Sequence, residues 1–528
     1  MFILANTTTV KIVYTSDVHG NAMPILYGSN EVADLGLAKY ASIVKRIRKE
    51  NENVLVLDNG DLIQGTPLMT HYVKEHATQE NPMIGIMNRI GIDAGVIGNH
   101  EFNFGKKILT NAIKSSNYPW LSANIVTDDG KPYFGKPYLI KDLPNGVRVA
   151  IVGVTTHYIP NWESPAHIEG IQFHDALATL KHWVTHIQKE EKPDLVIACY
   201  HGGFERDLVT GEPTEALTGE NQGYAMCQEI EGIDILLTGH QHRILTGKVN
   251  GVLVAQPGNN GKMYGEIHVE LKQQDDDEWQ LVEKEATIIP IGDTEPDNEI
   301  LYYMENIEAS TQSWLDQPIG YINGDMTITD PFHARVVKHT FVQFIQDVQI
   351  EASSVDISVT SLLNNESKGF SSVVTMRDVV SNYMYPNTLV VLELTGTNIK
   401  LALEKSAEYF TLDEAGEITV NPTYIHPKPQ HYNYDMWEGI HYTINVAKPV
   451  GSRIENLTYH GEPLTADGTY HVVFNNYRAN GGGNYDMLKN KPVVREIQQD
   501  TVELIHAYFE KYKTVNAHVI HNFKVIAD

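Results

Sequence analysis

The sequence predicts two domains, a larger α/β domain followed by a smaller mixed α/β domain. Three observations predict this. The chain has 528 residues, more than one hydrophobic core normally organises. Its first half repeats a single pattern: a short apolar run, a polar cluster, then helical periodicity. A polar stretch with two prolines at 290–298 reads as a boundary. We therefore expect a first domain over 1–292, a linker helix or hinge over 293–325, and a second domain over 326–528.

The elements follow in order. Residues 10–14 read as a buried strand ending in Ser16-Asp17-Val18-His19-Gly20. Asp17 and His19 are two apart, so in extended chain both face one way. Residues 35–49 have helical spacing and end in Lys/Arg-rich sequence, as a helix C-terminus prefers. The strand 54–57 runs into Asp58-Asn59-Gly60-Asp61, where Gly60 permits a sharp turn. Asp61 is the candidate ligand; Asp58 competes with it, or serves as a turn or supporting carboxylate. A helical region covers 67–90. The apolar run 94–97 ends in Gly98-Asn99-His100-Glu101, and 104–116 is helical. Residues 147–154 form a strand and 175–189 a helix. The strand 195–199 ends in Tyr200-His201-Gly202-Gly203. The strand 235–237 ends in Thr238-Gly239-His240-Gln241-His242. From 252 to 289 closely spaced strands with a turn at 273–277 close the domain with antiparallel hairpins. Beyond the boundary, 299–316, 333–348, 376–384 and 399–409 read as helices, and 356–360 and 389–394 as strands.

Five polar clusters thus end five strands: Asp17/His19, Asp61, Asn99/His100, His201 and His240/His242. In open α/β sheets, ligands collect beyond the carboxyl ends of the strands. Imidazole, carboxylate and one amide oxygen suit Zn, Mn, Fe, Ni or Co better than Ca or Mg. Seven candidate donors (Asp17, His19, Asp61, Asn99, His201, His240 and His242) exceed what one ion coordinates. They suit two divalent ions sharing a carboxylate, an arrangement that clamps both oxygens of an in-line displacement.

Composition narrows the partners. A net charge of −27 argues against a nucleic-acid polymer and against docking on an anionic membrane. A small phosphate substrate stays compatible, since bound cations invert the local field. Two cysteines, Cys199 and Cys227, give neither a disulfide framework nor a Cys-based zinc site. Residues 1–5 lack a basic leader region, so a cytoplasmic location is expected, or a secreted or cell-surface one if a signal peptide was removed. No apolar run is long enough to span a bilayer.

Asp17-Val18-His19, Gly60-Asp61, Gly98-Asn99-His100-Glu101, His201-Gly202-Gly203 and Gly239-His240-Gln241-His242, in this order, resemble the calcineurin-type metallophosphoesterases. The stretches 58–65, 98–105 and 475–479, with a weaker match over 434–442, are similar to the bacterial 5′-nucleotidase group. Within it they look most like the 2′,3′-cyclic-nucleotide 2′-phosphodiesterase/3′-nucleotidases. The resemblance implies a four-layer metallophosphoesterase sandwich for the first domain and a nucleotidase substrate-binding domain for the second. It assigns Asp17, His19, Asp61 and His242 to one metal, and Asp61, Asn99, His201 and His240 to the other, with Asp61 bridging. It implies attack on phosphorus by a metal-bridging hydroxide, with His100 acting on the departing oxygen. Asn103 stands where many 5′-nucleotidases carry the Asp that partners this His. The cyclic-nucleotide relatives tend to carry Asn, so the departure favours that narrower group. An amide orients an imidazole without stabilising its cation as a carboxylate would. His100 and Asn103 are therefore the catalytic candidates.

In the second domain, Tyr434 and Tyr477 match the family's aromatic pair that sandwiches a base. The Gly-Gly-Ile-Arg segment of many 5′-nucleotidases is not evident; 361–370 stands near its place. Arg377 and Arg478 are candidates for the phosphate side, with salt bridges as the competing explanation. The expected substrate is a small nucleotide: 2′,3′-cyclic nucleotides and 3′-nucleotides, or 5′-nucleotides. The competing enzyme readings are a nucleotide-sugar pyrophosphatase (UDP-sugar hydrolase) and a sulfur-ester hydrolase. A reading of another class is a non-catalytic binding module, which predicts missing ligands; none is missing.

Overall fold

In the computed structural model, described for residues 7–528 apart from 162, 164, 216, 275–277, 384–386, 426–428 and 498, the apolar runs of the first half become the parallel centres of two six-stranded sheets. In the first sheet, Thr7–Thr15, Val54–Asp58, Ala94–Val96 and Trp120–Leu121 run parallel, and the antiparallel Met263–Gln273 and Trp279–Pro290 extend one edge. In the second, Arg148–Thr155, Leu195–His201, Ile235–Thr238 and Val252–Pro257 run parallel, flanked by antiparallel Tyr138–Asp142 and Ile244–Val249. Each central strand is apolar on both faces because both are covered. Ile12, Tyr14, Leu55 and Leu57 pack with Val149, Ile151, Ile197 and Leu237 in a core between the sheets. Ala150, Val152, Ala198 and Leu236 face outward from the second sheet onto Leu180, Val184 and Ile187 of the helix Ala176–Glu190. The helix Leu37–Glu50 buries Tyr40, Ile43, Val44 and Ile47 at the first sheet. The order of layers is α/β/β/α.

Alternating strand and helix follow the expected order, and most ends agree within one or two residues. Two helices differ. The region 67–90 is Pro67–His71, a wider turn at Tyr72–His76, and a separate helix Pro82–Ile90. The break falls where Asn81 Oδ1 accepts from the backbone N–H groups of Met83 and Ile84 (3.0 and 3.4 Å), starting a new helix with Pro82 in its first turn. The expected helix 333–348 is two, Pro331–Val336 and Thr340–Ser353. Between them Lys338 takes a left-handed backbone (φ 58°), which no continuous helix accommodates. Residues 275–277 of the expected turn at 273–277, residue 384 of the helix expected at 376–384, and residues 1–5 lie outside the described residues; that helix is Met376–Asn382.

The chain forms two compact units, Met1–Thr311 and Gln312–Asp528. In the second, a five-stranded sheet runs Met436–Glu438, Ile357–Thr360, Thr469–Asn475, Leu389–Thr395, Val493–Ile497, and a four-stranded sheet is built on Ile440–Asn445 and Ile454–Tyr459. Capping is explicit: Thr375/Asp378 and Thr395/Asn398 form capping boxes that start Met376–Asn382 and Gly396–Ala407. Among the described residues no helix is long and apolar enough to cross a membrane.

Candidate metal centre

The carboxyl ends of the parallel strands Thr7–Thr15, Val54–Asp58, Ala94–Val96, Leu195–His201 and Ile235–Thr238 deliver all seven candidate donors. Backbone geometry marks the place. Asp17, His19, Asp61, His240 and His242 all have positive φ, between 50° and 65°. Such conformations cost roughly 1–3 kcal/mol each for residues with a Cβ, and they gather at functional sites. Gly60 (φ 94°) makes the turn before Asp61; a Cβ there would lie 2.7 Å from Gly98 N and 2.8 Å from His201 Nδ1.

The donors fall into two clusters. Asp17, His19 and His242 form one, and Asp17, Asp61 and His201 the other, with their ligand atoms within 4.8 Å of one another. His19 Nε2 is 3.0 Å from His242 Nε2, and His242 Nε2 is 3.5 Å from Asp17 Oδ1. His201 Nε2 is 3.1 Å from both Asp61 Oδ2 and Asn99 Oδ1. His240 Nδ1 lies 2.9 Å from the same Asn99 oxygen. The carboxylate common to both clusters is Asp17, whereas the resemblance implies Asp61. Asp61 Oδ1 is engaged by the His100 backbone N–H (2.7 Å).

The donor chemistry fits divalent cations. His201 Nδ1 donates to Asn59 O (2.7 Å), so in the neutral imidazole Nε2 is a lone pair aimed at two other acceptors. Three acceptors converging in a buried site repel one another unless a cation or a proton lies among them. His19 likewise donates from Nδ1 to Gln64 O (3.3 Å) and turns Nε2 inward. An imidazole whose outer nitrogen is fixed by a carbonyl is the usual preparation of a metal ligand. Ionisation follows the same logic. Burial drives the His19 imidazole down to about 4. Burial alone would lower His201 too, but the Asp61 carboxylate outweighs it and carries His201 up to about 10. Burial opposes charge on Asp61, yet His201 and His100 hold its carboxyl well below the usual range.

Supporting residues were only partly readable. Glu101, fully buried, accepts from the backbone N–H groups of Asp61 (2.8 Å), Leu62 (2.6 Å), Ile63 (3.2 Å) and Gly98 (2.6 Å). It thereby ties two donor loops together. Glu220 Oε1 accepts from His240 Nε2 (3.0 Å). Asp58 turns away from the cluster toward Thr15 Oγ1 (2.9 Å) and the Gly60 N–H (3.2 Å); its role is structural. His100 stands at the rim, its ring edge-on to His19 with centroids 5.2 Å apart. Its Nδ1 donates to Asn103 Oδ1 (2.6 Å).

The second unit corrects the aromatic pair. Tyr434 is 0% exposed, its ring stacked on Tyr409 (5.0 Å) and edge-on to Phe410 (4.9 Å), its hydroxyl donating to Arg335 O (3.1 Å). Neither face is open to a ligand. Tyr477 is 45% exposed, and its aromatic neighbour is the half-buried Tyr432, with centroids 6.4 Å apart. Arg478 is 2% exposed and its guanidinium is used within its own unit, on Asp435 (2.7 Å) and the Tyr432 carbonyl (2.9 Å). It is a structural residue. Arg377 pairs with Asp316 and Gln312, each at 2.7 Å.

A β-sandwich whose parallel strand ends converge on two Asp/His clusters defines a metallophosphoesterase domain. Residues 10–243 match the calcineurin-like phosphoesterase family, and residues 318–490 match the 5′-nucleotidase, C-terminal domain. A solved structure of a provisionally named 5′-nucleotidase from Staphylococcus aureus, in complex with α-ketoglutarate, is 36% identical, covers 98% of this chain and 100% of that one, and superposes with a TM-score of 0.86. The trifunctional nucleotide phosphoesterase protein YfkN of Bacillus subtilis is 28% identical over 98% of this chain; the match spans 39% of the Bacillus protein. A 2′,3′-cyclic-nucleotide 2′-phosphodiesterase/3′-nucleotidase of Yersinia enterocolitica is 28% identical over 90% of this chain and 81% of its own length. The chain belongs to the 5′-nucleotidase family of metal-dependent phosphoesterases.

Proposed function

We propose that this chain hydrolyses phosphate esters of nucleotides, with 2′,3′-cyclic nucleotides and 3′-nucleotides ahead of 5′-nucleotides. The observation that carries the hydrolase reading is the convergence of Asp17, His19, Asp61, His201 and His242 on two adjoining clusters. The Yersinia relative's activity and Asn103 support the cyclic substrates. The name given to the Staphylococcus structure favours 5′-nucleotides, which keeps that as the second reading.

Asp17, His19, Asp61 and His242 would hold one cation, and Asp61, Asn99, His201 and His240 the other. When bound, such ions supply positive charge to phosphoryl oxygens and make water more acidic. The protein's own part is orientation. Carbonyls of Asn59 and Gln64 fix the His201 and His19 tautomers. Glu101 holds the Asp61 loop against the Gly98 loop. His100, with Nδ1 committed to Asn103, keeps Nε2 for proton transfer to the departing oxygen. In the second unit, exposed Tyr477 offers a ring for base stacking; one of its faces already rests on Gly482.

The test is a substrate panel with Mn-loaded protein: 2′,3′-cyclic AMP, 3′-AMP, 5′-AMP, a nucleotide sugar and an aryl phosphate. The proposal expects the highest kcat/KM on the cyclic and 3′ substrates. A preference for 5′-AMP selects the second reading. Turnover of the aryl phosphate alone overturns nucleotide specificity.

A further inference from the structure

Asn103 reads as the weak point of the His100 dyad, an amide where a carboxylate would stabilise the imidazole. The structure places a carboxylate one residue further out. Asn103 Nδ2 donates to Glu163 Oε2 (2.7 Å), and His167 Nδ1 donates to Glu163 Oε1 (2.8 Å). The Glu163 side chain is 7% exposed, and its backbone N–H is tied to Ile159 O (3.0 Å). Sixty residues of sequence separate Glu163 from Asn103, so this contact is made by the fold rather than by local geometry.

We infer that Glu163 is a positioning residue for His100, acting through Asn103 to fix which ring nitrogen faces the reaction. The argument is one of polarity. A carboxylate only accepts hydrogen bonds, so Asn103 must turn its NH2 toward Glu163. Its oxygen then faces His100 and can only accept. His100 must therefore carry hydrogen on Nδ1, and Nε2 is presented for proton transfer. An uncharged amide at 163 would remove this direction: it can donate as well as accept, so Asn103 can flip and His100 can take either tautomer. His167 holds the second carboxylate oxygen and so fixes the plane from which Asn103 is aligned. The inference rests on the reading of His100 as the proton donor, and it extends that reading to a residue outside the family motifs.

The experiment uses the full-length protein with three variants: Glu163→Gln, Asn103→Asp, and both together. Manganese content is measured on each. Glu163→Gln is expected to lower kcat by about 10–100-fold, the usual loss when an outer partner of a site imidazole is removed, with KM changed less than about twofold and metal retained. Asn103→Asp alone is also expected to lose turnover, because two carboxylates then face each other. The double variant is expected to recover most of the loss, since the amide at 163 can donate to the carboxylate at 103, which accepts from His100 directly. A readout without turnover accompanies this: imidazole 1H–15N spectra of chelated, histidine-labelled protein, with His100 assigned by its disappearance in His100→Ala. The parent is expected to show the Nδ1–H tautomer alone, and Glu163→Gln a mixture. An unchanged kcat in Glu163→Gln, or a lost kcat with an unchanged tautomer and no recovery in the double variant, overturns the inference. If His100→Ala itself keeps full turnover, the proton-donor reading fails instead, and the tautomer spectra still decide whether Glu163 orients the ring.

Discussion

The two units treat polar side chains in opposite ways. In the first, five site residues sit at positive φ, and functional atoms of Asp17, His19, Asp61, His201 and His242 face one another at 3.0–3.5 Å. In the second, two of the residues picked out for function are engaged within the unit. Arg478 is committed to Asp435 and backbone carbonyls, and Tyr434 to Tyr409, Phe410 and Arg335. The difference shows what marks a site physically. Buried polar groups that saturate one another hold a fold together. Strained groups whose lone pairs converge lower the stability of the protein alone, and a bound ligand offsets that cost.

The strongest way to break this contrast is to remove the metals. Chelation, or His201→Ala, is expected to lower turnover by at least about 10³-fold and to lower the melting temperature of the first unit, with Mn restoring both in the chelated parent. Stability that is indifferent to Mn would mean the clusters saturate themselves, as the second unit's polar groups do. Next in size is His100→Ala. Turnover should fall about 10²–10⁴-fold while manganese content stays at the parent's level. Loss of metal in that variant would make His100 part of the donor set rather than a group beside it.

The same contrast explains what the sequence could and could not disclose. The strand ends were legible because period and chemistry coincide there: an apolar run stops, and Asp, Asn or His follows within three residues. Glu101 was legible as a member of its tetrad but not as a clamp, since its four N–H partners lie in a loop forty residues away as well as its own. Glu163 carried no local signal at all. Tyr434 misled for a different reason. A tyrosine suits both a core and a stacking site, and only burial separates the two. The helix break at Lys338 was missed because Ala334, Val337, Phe341 and Ile345 keep helical spacing across it, whereas the break at Asn81 had a local signal, a polar run over 74–81 ending in Asn81-Pro82.

A pair of substitutions sharpens the comparison inside the second unit. Tyr434→Ala should destabilise by about 3–5 kcal/mol, the cost of emptying a packed aromatic site, with KM of the surviving folded protein little changed. Tyr477→Ala should do the reverse: a stability change within about 0.5 kcal/mol and KM for nucleotides raised by the ~1–3 kcal/mol that base stacking contributes. Thermal melts and KM values on the best panel substrate separate the two. A KM effect from Tyr434→Ala at unchanged stability would restore it to the binding site.

The smallest effect concerns two carboxyls three residues apart on one loop. Asp61 is held charged by His201 and His100. Asp58 is pushed up to about 8, chiefly by burial, with the Glu101 charge adding and the Thr15 hydrogen bond opposing. Unfolded, Asp58 titrates near 3.9. Between about pH 4 and pH 8 the folded chain therefore keeps a proton that the unfolded chain has lost. Its contribution is fully present below pH 4 and disappears as pH rises through 8. Asp58→Asn removes that slope. In chelated protein the variant should gain on the parent as pH goes from 6 to 8, by on the order of 2 kcal/mol, read as a shrinking pH dependence of the melting temperature. Parallel melting curves for parent and variant would place Asp58 among the charged groups of the cluster. The loop would then hold two anions where the present geometry allows one, and Asp58 would again compete with Asp61 for the metal.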